Sequence, residues 1–288
     1  MSAGFVSASW ERCGAPVPGP ASATARLLIA GDTHGNLDWI GTLAKLAARL
    51  GCDGIVQLGD FGFWPDMKIL RDEDRPTINN RWLTAVARTL ALHGVWMRAL
   101  DGNHDAHPLA RSVYPSHEDG VRPLRDSILD WADRGAVWEW CGLRFGAMGG
   151  AISIDRQFRS AGRSFWSTEQ ITDADVEALT DRAGDERVDV LFTHDSPVLP
   201  PGFRPLSDPH LRLDVEHSQR QVMRCVDIVR PRLLIHGHFH HRYADVVDRP
   251  WGSFRIEGLA SDGESHTVGA SWCVLDLPTL EVSASLTR

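Results

Sequence analysis

Much is scarce in this chain of 288 residues, and each scarcity removes a class of protein. No run approaches the ~20 consecutive apolar residues of a membrane helix, so no membrane partner is expected. Cationic excess is missing: 30 Lys and Arg face 38 Asp and Glu, a formal charge of -8. That balance argues against non-specific binding along a nucleic-acid backbone, which depends on clustered Lys and Arg. It does not exclude a metal-centred site for a phosphate ester. The five cysteines (Cys13, Cys52, Cys141, Cys225, Cys273) form no C-x-x-C pair, and none is placed like a zinc ligand. Their odd number and scatter suit a reducing compartment, so a cytoplasmic location is expected. No cationic start precedes an apolar run, so no secretory signal is expected, and there is no internal repeat. What is present is core-forming material: 43% hydrophobic residues and 11 tryptophans, which rule out a disordered or fibrous chain.

Residues 1–24, rich in Ala, Ser, Gly and Pro and ending in Ala15-Pro-Val-Pro-Gly-Pro20, read as a flexible tail, with one domain over 25–288. Leu27–Ala30, Ile55–Leu58 and Val95–Leu100 are strand candidates. Between them, Leu37, Ile40, Leu43, Leu46 and Leu50 keep a 3.6-residue rhythm, with Asn36 before it and Gly51 after it. A second helix is expected over Ile78–His93, with Thr77 as its N-cap and Gly94 as its terminator. This β-α-β-α-β rhythm implies a parallel sheet with helices on its faces. In the second half, Val137–Trp140 and Leu143–Met148 read as paired strands joined by Cys141-Gly142. Val188–Phe192 and Leu233–Ile235 read as buried strands, with a helix over Val215–Val229 between them. Ser167-x-x-Gln170 resembles a capping box opening a helix. Ser271–Leu277 and Leu280–Ser285 read as a closing hairpin. The expected fold class is α/β, a two-layered sheet core with helices outside.

Polar clusters follow the strand candidates one after another. They are Gly31-Asp32-Thr33-His34-Gly35-Asn36, Gly59-Asp60, Gly102-Asn103-His104-Asp105, Thr193-His194-Asp195 and His236-Gly237-His238-Phe239-His240-His241. Ligands of open α/β sheets bind outside the carboxyl ends of strands, so these segments converge on one edge. Asp oxygens and His nitrogens together suit borderline divalent metals such as Mn, Fe, Zn, Co or Ni. In an extended backbone Asp32-x-His34 and His238-x-His240 each present two side chains on one side. A shared carboxylate can bridge two metals ~3.5–4 Å apart, the separation that clamps an in-line displacement at phosphorus. Any D-x-H or H-x-H alone is weak, and a lone Gly is an ordinary turn residue; the ordered set of five is specific.

Those five blocks resemble the signatures of the calcineurin-like metallophosphoesterase family. The resemblance implies a two-sheet β-sandwich flanked by helices, with a dinuclear metal centre at one rim. By this resemblance Asp32, His34, Asp60 and His240 hold one metal, and Asp60 (bridging), Asn103, His194 and His238 the other. His104 matches the histidine outside the metal shell that serves the leaving group. The implied reaction is phosphoester hydrolysis, with a metal-bridging hydroxide attacking phosphorus and His104 as general acid. His241, His236 and Asp195 neighbour the ligands and could orient them.

The substrate expected is a small or nucleotide-like phosphoester. Protein Ser/Thr phosphatases of the family carry Asp-Arg-Gly at the bridging Asp, whereas Asp60 here is followed by Phe61-Gly62-Phe63-Trp64, and Asp105 stands where they have Glu. That demotes a phosphoprotein substrate, acidity weighs against a nuclease, and the intact ligand set weighs against a non-catalytic scaffold. Trp64 could stack on a nucleobase, or Phe63 and Trp64 could cap the core. Long segments over 61–80, 106–134 and 196–216 are expected to shape the pocket; they carry Arg71, Arg75, Arg111, Arg122, Arg204, Tyr114 and Phe203.

Overall fold

The computed structural model describes residues 25–66, 78–125, 127–262 and 269–283. The expected N-terminal tail, Thr77, Arg71 and Arg75 lie outside them. The first half runs β1 (Arg26–Ala30), α1 (Leu37–Leu50), β2 (Gly54–Gln57), α2 (Asn80–His93), β3 (Trp96–Ala99), α3 (His107–Val113), β4 (Val121–Arg125) and β5 (Leu129–Ala132). The second half runs β6 (Ala136–Trp140), β7 (Leu143–Met148), α4 (Asp173–Ala183), β8 (Val190–Thr193), α5 (Pro209–Val229), β9 (Leu233–His236), β10 (Tyr243–Arg249), β11 (Gly252–Gly258), β12 (Trp272–Asp276) and β13 (Glu281–Ser283).

The strands form a seven-stranded sheet, β13-β12-β1-β2-β3-β5-β4, and a six-stranded sheet, β10-β11-β9-β8-β7-β6. Parallel pairing runs through β1, β2, β3 and β5 in the first and through β7, β8, β9 and β11 in the second. The period-2 alternation of a strand explains the layering. In β1, Leu27 and Ile29 face the second sheet in a core shared with Phe145, Phe192 and Ile235, while Leu28 and Ala30 face α1 and α2. The outer face of the second sheet packs Leu191 and Leu234 against Leu179 of α4 and Val222 and Val226 of α5. The α/β sandwich expected from sequence is therefore the fold observed.

Helix α1 starts where Asn36 accepts from the Trp39 N–H and stops where Gly51 turns left-handed at φ 67°. Four local expectations change. Helix α2 is capped by Asn79, which accepts from the Trp82 N–H. The capping box lies at Thr172 and Asp175, not at Ser167. Helix α5 begins at Pro209 behind Asp208, six residues before Val215. The segment 106–134, expected as a loop, contains α3 and the β4–β5 hairpin.

Candidate metal centre

The carboxyl ends of β1, β2 and β3 lie beside those of β8 and β9 across the sandwich, and the polar segments meet there. Asp32 Oδ2 is 3.0 Å from His240 Nε2 and 4.0 Å from His34 Nε2. Asp60 Oδ2 is 3.6 Å from His34 Nε2 and 3.7 Å from His104 Nε2. Asp60 Oδ1 is 3.7 Å from His194 Nε2 and accepts from the His104 backbone N–H at 2.8 Å. His194 Nε2 is 3.0 Å from Asn103 Oδ1, and the His238 ring lies 5.0 Å from that of His194. All seven expected ligands and His104 thus share one rim. Three overlapping groups place single donor atoms within 4.8 Å of one another: Asp32, His34 and His240; His34, Asp60 and His104; Asp32, Asp60 and His194.

The backbone is bent to do this. His34, Asp60, His238 and His240 all have positive φ, between 43° and 64°. Such conformations cost of order 1–3 kcal/mol each and persist where the surroundings over-determine them. Extended alternation is therefore not what brings Asp32 near His34 or His238 near His240; left-handed turns are. Two glycines make room for the carboxylates. A Cβ on Gly237 would sit 2.2 Å from Asp32 Oδ1, and one on Gly102 would sit 2.1 Å from Asp60 Oδ1.

Electrostatics follow from two buried carboxylates side by side. Burial pushes Asp32 and Asp60 up, yet His194 and the neighbouring imidazoles hold both below the usual carboxylate range. His34, against its own desolvation, is raised to about 10 by Asp60 and Asp32. His238 is pushed down to about 3 by burial and the His194 charge. Burial lowers His104 as well, with Asp60 opposing and Arg159 adding to the fall.

The donor set fits a cation. His194 Nδ1–H donates to the Leu58 carbonyl at 2.8 Å, which in a neutral ring leaves Nε2 with a lone pair towards the site. Asn103 Nδ2 donates to Ser153 Oγ at 3.0 Å, so its Oδ1 faces His194. Asn103 Oδ1 and His194 Nε2, 3.0 Å apart with a carboxylate oxygen beyond them, are satisfied together by a proton on the ring or, once that proton is lost, by a cation.

Three carboxylates to which sequence reasoning gave no role support the cluster. Asp262 receives His34 Nδ1 at 2.9 Å and the Asn36 amide at 2.7 Å. Glu169 accepts from Ser153 Oγ at 2.6 Å and so fixes Asn103 indirectly. Asp105 takes four backbone N–H groups, from Phe61, Gly62, Phe63 and Gly102. Asp262 and Glu169 stand in no motif, so only the folded chain identifies them. His236 donates Nδ1–H to the Gly237 carbonyl and accepts from the Tyr243 hydroxyl at Nε2, Asp195 is held by Ser218, and His241 stacks on Tyr243. Arg111 and Arg122 are paired with Asp133 and Tyr114 donates to Asn80, whereas Arg204 and Phe203 line the cavity that opens on the site.

A cavity of about 650 Å³ opens on His34, Asp60, Asn103, His104, His238 and His240 and is walled by apolar side chains, Leu199, Phe203 and Leu206 among them. A second, of about 750 Å³, lies beyond His104 and is lined by Trp64, Trp82, Arg81 and Arg163. Phe63 is core, as one expectation had it, but Trp64 is 39% exposed and rests over Gly35.

The sequence model of the calcineurin-like phosphoesterases matches residues 25–242. Similar solved structures include TT1561 of Thermus thermophilus, 15% identical, with 92% of this chain and 100% of that one covered and a TM-score of 0.52. A dimetal phosphatase from Danio rerio is 15% identical, with 88% of this chain and 92% of that one covered and a TM-score of 0.51. At such identities the likeness is one of fold. No curated protein matches the chain.

Proposed function

The chain belongs to the calcineurin-like phosphoesterase family and is a metal-dependent phosphoester hydrolase, and from that premise we propose that it cleaves small or nucleotide-like phosphoesters at a dinuclear centre. Asp32, His34, Asp60 and His240 would hold one divalent cation, and Asp60, Asn103, His194 and His238 the other. When bound, the pair supplies Lewis-acid stabilisation of the charge that grows on the phosphoryl oxygens during hydrolysis. The observation that carries this reading is the acceptor cluster of Asn103 Oδ1, His194 Nε2 and Asp60 Oδ1, drawn from three strand ends.

The chain's own groups do the rest. His104 stands 3.7 Å from Asp60 through Nε2, at the mouth of both cavities, where an imidazole can deliver a proton to the departing oxygen. Trp64 and Trp82 wall the cavity beyond it, and an exposed indole face there suits a nucleobase.

A Mn²⁺-supplemented panel of an aryl monoester, an aryl diester, cyclic nucleotides, single-stranded DNA and a phosphopeptide tests the reading. Turnover of small esters without the peptide is expected; preference for the DNA would make the enzyme a nuclease instead. Asp60→Asn should lose bound metal and activity together, and full retention of both would sink the assignment. His104→Ala should keep its metal while kcat falls roughly 10²–10⁴-fold, least for esters with good leaving groups. Trp64→Ala should raise KM for nucleotides and leave a small aryl ester unaffected; equal effects on both would remove the stacking role.

A further inference from the structure

The segment between β7 and α4 carries a cation into the site. Arg159 Nε and Nη2 donate to Asp155 Oδ1 and Oδ2 at 2.7 and 2.9 Å, and Nη1 donates to the Ser164 carbonyl at 3.3 Å. The same Nη1 and Nη2 lie 2.8 and 2.5 Å from Nδ1 and Nε2 of His104. Although the residue sits on a surface segment, only 9% of its side chain is exposed, and it lines the cavity that holds Asp60, Asn103 and His238.

A neutral imidazole offers one lone pair, so at most one of the two N–H groups facing His104 is accepted there. The other faces a ring nitrogen that cannot accept it, and is left for an acceptor brought into the cavity that Arg159 lines. The fork of a guanidinium matches a phosphate, and an Asp-anchored guanidinium loses little freedom on binding one. No cation directly follows Asp60, where Phe61-Gly62-Phe63-Trp64 stands.

We propose that Arg159 contacts the substrate, binding a non-bridging oxygen of the phosphoryl group beside His104, with Asp155 holding the guanidinium in register. This deepens the phosphoesterase reading and rests on it. The probe is inorganic phosphate, used both as a competitive inhibitor of the metal-loaded enzyme and in calorimetric titration. Arg159→Ala should raise the phosphate inhibition constant and KM by roughly tenfold or more, the scale of one charge-assisted hydrogen bond, with metal content unchanged. Arg159→Lys, which keeps the charge without the fork, should recover part of the loss, and Asp155→Asn should show a smaller one. Should Arg159→Ala fold poorly, Arg159→Gln and Arg159→Lys read the same quantities.

Unchanged inhibition and KM in an active variant would overturn the proposal. A fall confined to kcat would do the same, since that pattern marks a residue that only positions His104. If the wild type cleaves no phosphoester, the reading beneath fails first. Calorimetry then decides Arg159 alone: phosphate binding that needs it supports the contact, and binding that ignores it overturns it.

Discussion

Asn103 illustrates how a side chain without charge becomes a committed donor. Its Nδ2 is spent on Ser153 Oγ, whose own hydrogen goes to Glu169 Oε2, while Glu169 Oε1 accepts the Ser153 backbone N–H at 2.9 Å. The carboxylate at the end of this chain dictates the direction of every bond in it. Glu169→Gln replaces one acceptor oxygen with a donor, so the Ser153 hydroxyl can reverse and the Asn103 amide can flip. Metal affinity should fall roughly 10–100-fold, the usual cost of losing a partner behind a ligand, as read by titration against a metal buffer. An unchanged affinity would show that Asn103 Oδ1 does not serve a cation. The metal-free protein should lose about 1.5–3 kcal/mol, because a hydrogen bond to a charged acceptor is at stake.

Asp105 ties the loops leaving β2 and β3, in addition to the Ala106 N–H to Phe63 carbonyl and His104 N–H to Asp60 bonds, each of 2.8 Å. Burial and the nearby Asp60 charge push its pKa up to about 7, against the pull of the four backbone N–H bonds it accepts. Asp105→Asn puts an NH₂ where two of those N–H groups point. With at least two buried donors left unmet, the loss should be about 2 kcal/mol or more, a drop in Tm of roughly 4–8 °C by scanning calorimetry. An isostere that melted like the wild type would show that these loops need no such tie. The elements bearing these loops were legible in the sequence because their signals are local. The rhythm of α1, Asn36 before it and Gly51 after it sit in one stretch of chain. The β4–β5 hairpin was not legible: Pro123 in β4 argues against a strand, and it is tolerated because β4 is the sheet's edge. Nor was β10, whose residues are mostly exposed and so lack the apolar alternation that marks a buried face. The first six residues of α5 are likewise unburied, which is why its start was read late. The candidate ligands could be read because five motifs follow five strands in order. Arg159, Glu169 and Asp262 could not, since tertiary packing alone gives them their places.

Taken as a charged body, the protein must neutralise two buried carboxylates, and without a cation it does so with protons. His34 and His194 are both raised by Asp60 and Asp32 against the cost of burial. A histidine whose folded pKa lies above its unfolded value of ~6.5 stabilises fully below that value and loses the contribution as pH climbs. For His34 the window runs from ~6.5 to about 10. The opposite holds for His236 and His238, lowered to about 4 and about 3 mainly by burial. Their neutral rings favour the fold above ~6.5, and that contribution drains away as pH falls towards their folded values. Metal-stripped protein should therefore be most stable near pH 6.5 and should soften on the alkaline side. Divalent cations replace the protons on His34 and His194 with charge that does not titrate, so binding releases protons and tightens as pH rises. At a hundredfold excess over Kd a bound ion stabilises by about 2.7 kcal/mol, or roughly 5–10 °C in Tm for a chain of this size. Scanning calorimetry of chelator-stripped protein with and without Mn²⁺, from pH 6 to 9, should show that increment growing with pH. The alkaline decline should disappear in the loaded form. Titrations in two buffers of different ionisation enthalpy should count the protons released. An increment equal at every pH, with no proton released, would mean that the cations bind somewhere other than among these imidazoles.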